Sequence, residues 1–531
     1  MSPRKRAVNL ATLLTQTARR LPRHDALVHG STRWSWRQLD DAVSALARAL
    51  RERGIRQGDC VLLHSANHAE FVQTMFATWR IGAVLAPTNS RLTPSDVTAV
   101  AQVCRPALIV CHGAQPDHAR AVDTLCENTL WIDATGPDAI AEIAPLGAES
   151  GGMPDAEVAP GDAAWYFFTS GTSGSPKAAI LTHDQMGFVV NNHLADLMPG
   201  TTEEDSSLVL APLSHGAGVH LLPQIARGAR SVLTASRGLD GDEVWSLVER
   251  ERVSNMFTVP TILKKIAEHP AARTSDRSSL RYVIYAGAPM YAADQDNTRA
   301  VLGDVLVQYY GLGEVTGNVT VLPAREHGRP RPDGVEFGTC GRARTGMQIA
   351  IRDADGRELP VGESGEICVA GSAVCAGYLN NARANVAAFR DGWFHTGDLG
   401  LLDEHGYLYI TGRASDMYIS GGSNVHPRDI EEKLADHPAV AEVAVLGMPH
   451  PVWGEVGVAV WVADPGHDGE PAGSEDLLAW LEPRLSRYKL PRHFVRWPEL
   501  PKSGYGKIVK RTIRDELLTA GWSDGEPGGA R

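Results

Sequence analysis

Residues 166–177 read Tyr-Phe-Phe-Thr-Ser-Gly-Thr-Ser-Gly-Ser-Pro-Lys. An apolar run that passes into a Ser, Thr and Gly tract reads as a strand feeding a mobile loop. Glycines let a ligand approach the backbone, and hydroxyls with successive N–H groups hold phosphate oxygens. Lys177 adds a positive point charge. A P-loop ends in Gly-Lys-Ser/Thr before a helix. Here Lys177 is followed by Ala178, which disfavours P-loop kinases and GTPases.

The chain has 531 residues, too many for one core, so two or more domains are expected. A net charge of −12 argues against nucleic acid as a partner. Seven cysteines without a Cys-x-x-Cys pair argue against a zinc site or disulfide framework and fit a reducing cytoplasm. No apolar stretch reaches the length of about 18 residues that a membrane-spanning helix needs. The N-terminal segment is basic, but Leu10, Leu13, Leu14 and Ala18 share one helical face, so a first amphipathic helix is expected rather than a transit peptide.

Strands at 60–64, 83–86 and 107–111 alternate with helices at 39–53 and 70–80, which predicts a parallel α/β sheet. Apolar runs at 209–213, 231–234, 256–259 and 282–285 predict a second α/β unit, with 147–161 as a linker before the first loop. From 335 to 411, short runs between Gly and Asp turns predict a small antiparallel β-barrel or sandwich. The expected division is 1–414, then 415–519 as a smaller domain, then a disordered tail at 520–531.

Several further segments carry chemistry. In 309–314, Tyr-Tyr-Gly-Leu-Gly-Glu, Tyr310 offers a face to a purine, Gly311 lets an acyl group near the backbone, and Glu314 is a hard oxygen ligand suited to Mg²⁺. Ala286-Gly287-Ala288-Pro289 is a turn after a strand, and Asp398 in Trp393-Phe394-His395-Thr396-Gly397-Asp398 can accept from two hydroxyls. Lys507 sits in Pro-Lys-Ser-Gly-Tyr-Gly-Lys at 501–507, near Lys502 and Lys510. His215 lies in Ala-Pro-Leu-Ser-His-Gly-Ala-Gly at 211–218.

Together these motifs resemble those of the adenylate-forming superfamily, which holds acyl-CoA synthetases, peptide-synthetase adenylation domains and beetle luciferases. The resemblance covers residues 10–515 and is closest to fatty-acid and aryl-acid CoA ligases. It implies an α/β fold: a large N-terminal domain of two α/β subdomains plus a small β-barrel, and a smaller, mobile α+β C-terminal domain. It implies that ATP, Mg²⁺ and a carboxylic acid give an acyl-adenylate and pyrophosphate, and that CoA then displaces AMP.

The resemblance also implies roles. Thr169, Ser170, Gly171, Thr172, Ser173, Gly174 and Lys177 would hold the phosphates, and Gly287, Ala288 and Pro289 would read the adenine edge. Tyr310 and Gly311 would bind the nucleotide, with Asp398, Ile410 and Arg413 around the ribose. Glu314 and Lys507 would be catalytic, Glu314 as metal ligand and Lys507 bridging carboxylate and α-phosphate. His215, Gly216, Gly311, Leu312 and Gly313 would face the acid, Gly421 and Gly422 would pass the pantetheine arm of CoA, and Ser415 would be the hinge.

Three positions depart from the pattern. Gly313 stands where relatives have Thr or Ser, Ser415 where they have Asp or Lys, and Ser214 where an aromatic is common. They leave open another acceptor, such as an amine or a carrier-protein thiol, or a small oxyanion in place of the carboxylate. An adenylate hydrolase or luciferase-like oxygenase and a non-catalytic scaffold are the remaining alternatives. No nucleic acid or membrane-spanning segment is expected, and a homodimer is compatible with the sequence.

Overall fold

The computed structural model describes residues 6–522, except 149, 171–175, 237, 289, 331, 333, 334, 336, 337, 414, 421, 422, 468–471 and 503–507. Two α/β sheets form the larger part. One runs, in spatial order, Thr129–Ile132, Leu108–His112, Cys60–His64, Val84–Thr88, Ala163–Ser170 and Pro176–Thr182. Its strands are parallel until the last, which returns antiparallel from the Ser/Thr/Gly loop. The second runs Leu306–Gln308, Tyr282–Tyr285, Asn255–Thr258, Ser206–Val209, Arg230–Leu233, Asp25–His29 and Thr32–Ser35, parallel except at its last pair.

The strands of these sheets read as continuous apolar runs because helices cover both faces. Cys60–His64 and Val84–Thr88 are buried at every position. Ser35 and Gln38 cap the helix Trp36–Glu52 reciprocally, and Thr93 and Asp96 do the same for Pro94–Cys104. The expected N-terminal amphipathic helix is Ala11–Arg20, with Leu14 and Ala18 in the core.

An antiparallel sheet follows, ordered Met347–Arg352, Gly365–Gly371, Trp393–Leu402 and Phe389–Arg390, with Leu408–Arg413 also paired to Trp393–Leu402. The C-terminal sheet runs Ser423–Val425, Tyr418–Ser420, Gly454–Ala463 and Val440–His450, with His493–Arg496 parallel to Gly454–Ala463. Helices Pro427–Ala435, Ser474–Leu481 and Lys510–Thr519 pack on it.

Three expectations are corrected. The strand expected at 209–213 is Ser206–Val209; Pro212, which lacks an N–H, sits in the turn whose carbonyl accepts from His215 N. The segment 147–161 is not a free linker: Asp155 accepts from Thr12, from Thr15 and from the fully buried Arg80, at 3.1 Å for Arg80 Nε. The tail expected to be disordered from 520 begins with an ordered Trp522, 8% exposed, whose Nε1 donates to Pro449 O at 3.0 Å. Residues 523–531 lie outside the described residues. All seven cysteines are buried free thiols. Among the described residues no helix is long and apolar enough to cross a membrane.

Candidate active site

Glu314 lies on the 3₁₀ turn Gly313–Val315 and is buried. Its Oε1 accepts from Thr169 Oγ1 at 3.1 Å and from Tyr378 Oη at 2.9 Å, and its carbonyl accepts from Cys375 N at 2.7 Å. Burial and the neighbouring carboxylate push the Tyr378 phenol well up, so it stays a donor. Thr169 and Lys177 are register partners on the two strands that flank the Ser/Thr/Gly loop. Lys177 Nζ lies 5.4 Å from the Tyr378 ring centroid, within cation–π reach. Glu314, Thr169, Lys177 and Tyr378 thus form one polar corner at the mouth of that loop.

Asp398 forms a second corner. Gly397, in the left-handed region at φ +73°, turns the strand Trp393–Leu402, and a bulge follows between Leu399 and Gly400. Asp398 N donates to Thr396 Oγ1 at 3.1 Å. Its carboxylate is buried; Oδ2 accepts from Tyr310 Oη at 2.6 Å and Oδ1 from Arg413 Nε at 3.0 Å. Asp398 and Arg413 face each other in register across two antiparallel strands. Asp398 holds the Arg413 guanidinium above its ordinary range, while burial, then Asp398, raises the Tyr310 phenol. A carboxylate has about four lone-pair sites, so two remain for further donors.

Segment 310–314 joins these corners, because Tyr310 begins it and Glu314 ends it. It leaves the C-terminal edge of strand Leu306–Gln308, whose neighbour Tyr282–Tyr285 leads into Ala286, Gly287 and Ala288. Gly287 is exposed with φ +90°, a conformation that favours glycine. Crevices at such strand ends are where α/β sheets bind ligands.

Three glycines have packing reasons. A Cβ on Gly313 would lie 2.4 Å from Phe167 Cδ1 and Cε1 and 3.1 Å from Thr169 Cγ2. A Cβ on Gly311 would lie 2.3 Å from the Gly317 backbone, so the chain packs directly against this glycine. Gly216 abuts Phe257. His215 meets the Phe167 ring edge-on at 5.0 Å, and its Nδ1 lies 2.9 Å from Ser214 Oγ. Ser214 therefore holds the histidine by a hydrogen bond where an aromatic would hold it by contact.

At the expected hinge, Ser415 Oγ donates to Asp416 Oδ1 at 3.1 Å, and Asp416 N and Met417 N both donate to Arg413 O. Arg428 Nη1 donates to Ile410 O at 2.9 Å and Ala292 N to Glu432 Oε1 at 3.2 Å, so the helix Pro427–Ala435 rests on the larger part. Gly171, Thr172, Ser173, Gly174, Pro289, Gly421, Gly422 and Lys507 lie outside the described residues, as does the side chain of Ser170. The expected basic C-terminal cluster is ion-paired at both described lysines: Lys502 with Glu442 at 2.5 Å and Lys510 with Glu431 at 2.7 Å.

Sequence reasoning missed Tyr378, Phe257, Tyr309 and Glu366. Tyr378 reaches Glu314 because segment 376–379 pairs along Pro176–Thr182, which has no local signal. Glu366 Oε1 accepts from Gly397 N at 3.1 Å and so fixes the turn before Asp398. Among the described residues, Glu366, Cys368 and His395 alone cluster as metal ligands would, but Arg390 Nη2 stands 2.6 Å from His395 Nδ1, and a guanidinium there opposes a cation.

The family model of AMP-binding enzymes matches residues 14–379, and that of the AMP-binding enzyme C-terminal domain matches 429–507. A feruloyl-CoA synthase of Amycolatopsis sp is 36% identical over 94% of this chain and 96% of its own length. A long-chain-fatty-acid–CoA ligase of Mycobacterium tuberculosis is 33% identical over 96% of this chain and 98% of its own. The ATP-bound structure of MatB from Rhodopseudomonas palustris superposes with a TM-score of 0.84 at 28% identity, covering 96% of this chain and 99% of that one. The chain belongs to the AMP-binding enzyme family and is an AMP-forming acid–CoA ligase.

Proposed function

We propose that the two corners joined by segment 310–314 are the two ends of one nucleotide site. Asp398, with Arg413, Tyr310 and Ile410 around it, takes the ribose hydroxyls on its remaining lone pairs. Gly287, Ala288 and Pro289 meet the adenine edge. Thr169 and Lys177, with Ser170 and residues 171–174, hold the pyrophosphate side. The observation that carries this reading is the pair of short contacts at opposite ends of the segment: Tyr310 Oη to Asp398 at 2.6 Å and Tyr378 Oη to Glu314 at 2.9 Å.

Glu314 fits a Mg²⁺ ion carried in on phosphates. Both hydrogen bonds to its carboxylate among the described residues fall on Oε1, which leaves Oε2 for a cation. Mg²⁺ commonly takes one or two carboxylates, with phosphates and waters completing its shell. When bound, it neutralises phosphate charge.

The acid lies between His215, Gly216, Leu312 and Gly313. Its carboxylate oxygen attacks the α-phosphorus in line, the bond to the bridging oxygen breaks, and pyrophosphate leaves. Lys507 stabilises the charge that moves onto the α-phosphate. CoA then approaches past Gly421 and Gly422; its thiolate attacks the acyl carbon, the bond to the phosphate oxygen breaks, and AMP leaves. The domain boundary at 414/415, with Ser415 as hinge, lets residues 415–519 present Lys507 for the first step and Gly421 for the second. Seven buried free thiols suit a reducing compartment such as the cytoplasm.

Product masses test the reading. ATP and acid alone should give acyl-adenylate, and added CoA should convert it to acyl-CoA and AMP. Product that ignores CoA would sink the second half-reaction.

A further inference from the structure

We propose that Phe257 and Tyr309 set the depth of the acid pocket, so that the enzyme takes single-ring or short-chain acids and excludes long alkyl chains. The inference rests on the reading that His215 and Gly216 face the acid. Thr169 Oγ1 donates to Glu314, and Phe167 on the same strand meets His215 at 5.0 Å. The next residue, Gly216, leaves no room behind it. A Cβ there would lie 2.7 Å from Phe257 Cε1 and Cζ and 3.4 Å from Tyr309 Oη. Phe257 and Tyr309 stack at 5.8 Å between centroids with planes 16° apart, and form one aromatic slab. Phe257 is 6% and Tyr309 7% exposed, so the slab is nearly closed off.

Behind the slab stands a buried polar layer rather than an apolar tunnel. The His220 ring lies 6.0 Å from Phe257, its Nε2 is 3.0 Å from Asn255 Oδ1, and Gln224 Nε2 donates to the same oxygen at 2.9 Å. His193 lies 6.3 Å from Tyr309, and Arg344 Nη2 is 3.2 Å from His193 Nδ1. All five polar side chains are buried. An alkyl tail threaded past the slab would part these groups and leave them without partners, which is costly in a dry interior. A flat ring gains contact with the slab at no such cost.

The test is acid-dependent ATP–pyrophosphate exchange with benzoate, phenylpropenoate, hexanoate, dodecanoate and hexadecanoate, for the full native chain, Phe257→Ala and Phe257→Leu. In the native enzyme, kcat/KM for dodecanoate and hexadecanoate should fall about 10²-fold below that for the best ring or short acid. Phe257→Ala should raise the longer acids about tenfold, and Phe257→Leu should move the profile the same way by less. Equal use of hexadecanoate by the native enzyme would overturn the inference. So would an unchanged length profile in whichever variant keeps the native melting curve. Exchange with no acid of any length would overturn the ligase reading itself, and this inference with it.

Discussion

Phe167 occupies the volume that a side chain at position 313 would need, at 2.4 Å from its ring carbons. A ring from strand Ala163–Ser170 thus stands where a hydroxyl-bearing side chain at 313 would be. Gly313→Thr should destabilise the fold by about 1–3 kcal/mol through overpacking and lower adenylation by displacing Glu314. Phe167→Ala should relieve most of that loss. Melting and exchange rates of the two single variants and the double variant check this; additive effects would show that the positions do not couple.

Asp398 is buried between Tyr310 and Arg413. Asp398→Asn removes a charge-assisted acceptor from the ribose end and should raise KM for ATP by about 10–100-fold. The variant should also lose discrimination between ATP and its 2′- and 3′-deoxy analogues. Retained discrimination would move the ribose elsewhere.

Glu314→Gln keeps the contacts to Thr169 and Tyr378 geometrically available but removes the charge. The Mg²⁺ concentration for half-maximal exchange should rise about tenfold or more. Tyr378→Phe should raise it by less, because only one orienting bond is lost. An unaltered Mg²⁺ titration in Glu314→Gln would remove that residue from the metal site.

His183 is buried, and Leu10 N donates to its Nδ1 at 3.2 Å, so the ring must stay neutral to keep that bond. Burial lowers its pKa from 6.5 to about 4. Between those values the unfolded chain binds a proton that the folded chain does not. Stability is therefore complete above pH 6.5 and is lost as pH falls toward 4, by about 3 kcal/mol for this one group. His183→Gln should flatten the fall of melting temperature across that window. An equally steep profile in the variant would place the titration on other groups.

Much of this was legible because local patterns coincide with sheet geometry. Strand Tyr282–Tyr285 follows its apolar run residue for residue. The family resemblance set Asp398 and Arg413 together, and the hairpin that joins their strands holds them in register. Phe167 was legible only as a strand residue, since its partner Gly313 is distant in sequence and the departure at 313 carries no sign of what replaces it. Tyr378, Phe257 and Tyr309 were silent for the same reason: each acts through contacts between separate strands. Trp522 looked like part of a polar tail because its docking surface, the sheet edge at Pro449, is remote in the chain.

In the proposed function, one cleft adenylates an acid with Lys507 at the reacting phosphate. Acid-dependent ATP–pyrophosphate exchange by Lys507→Ala tests it most directly, with CoA-dependent turnover of supplied acyl-adenylate measured beside it. Exchange should fall about 10²-fold or more, the usual scale for losing one charge-stabilising donor, while thioester formation from the adenylate persists. Exchange at the native rate would contradict the claim.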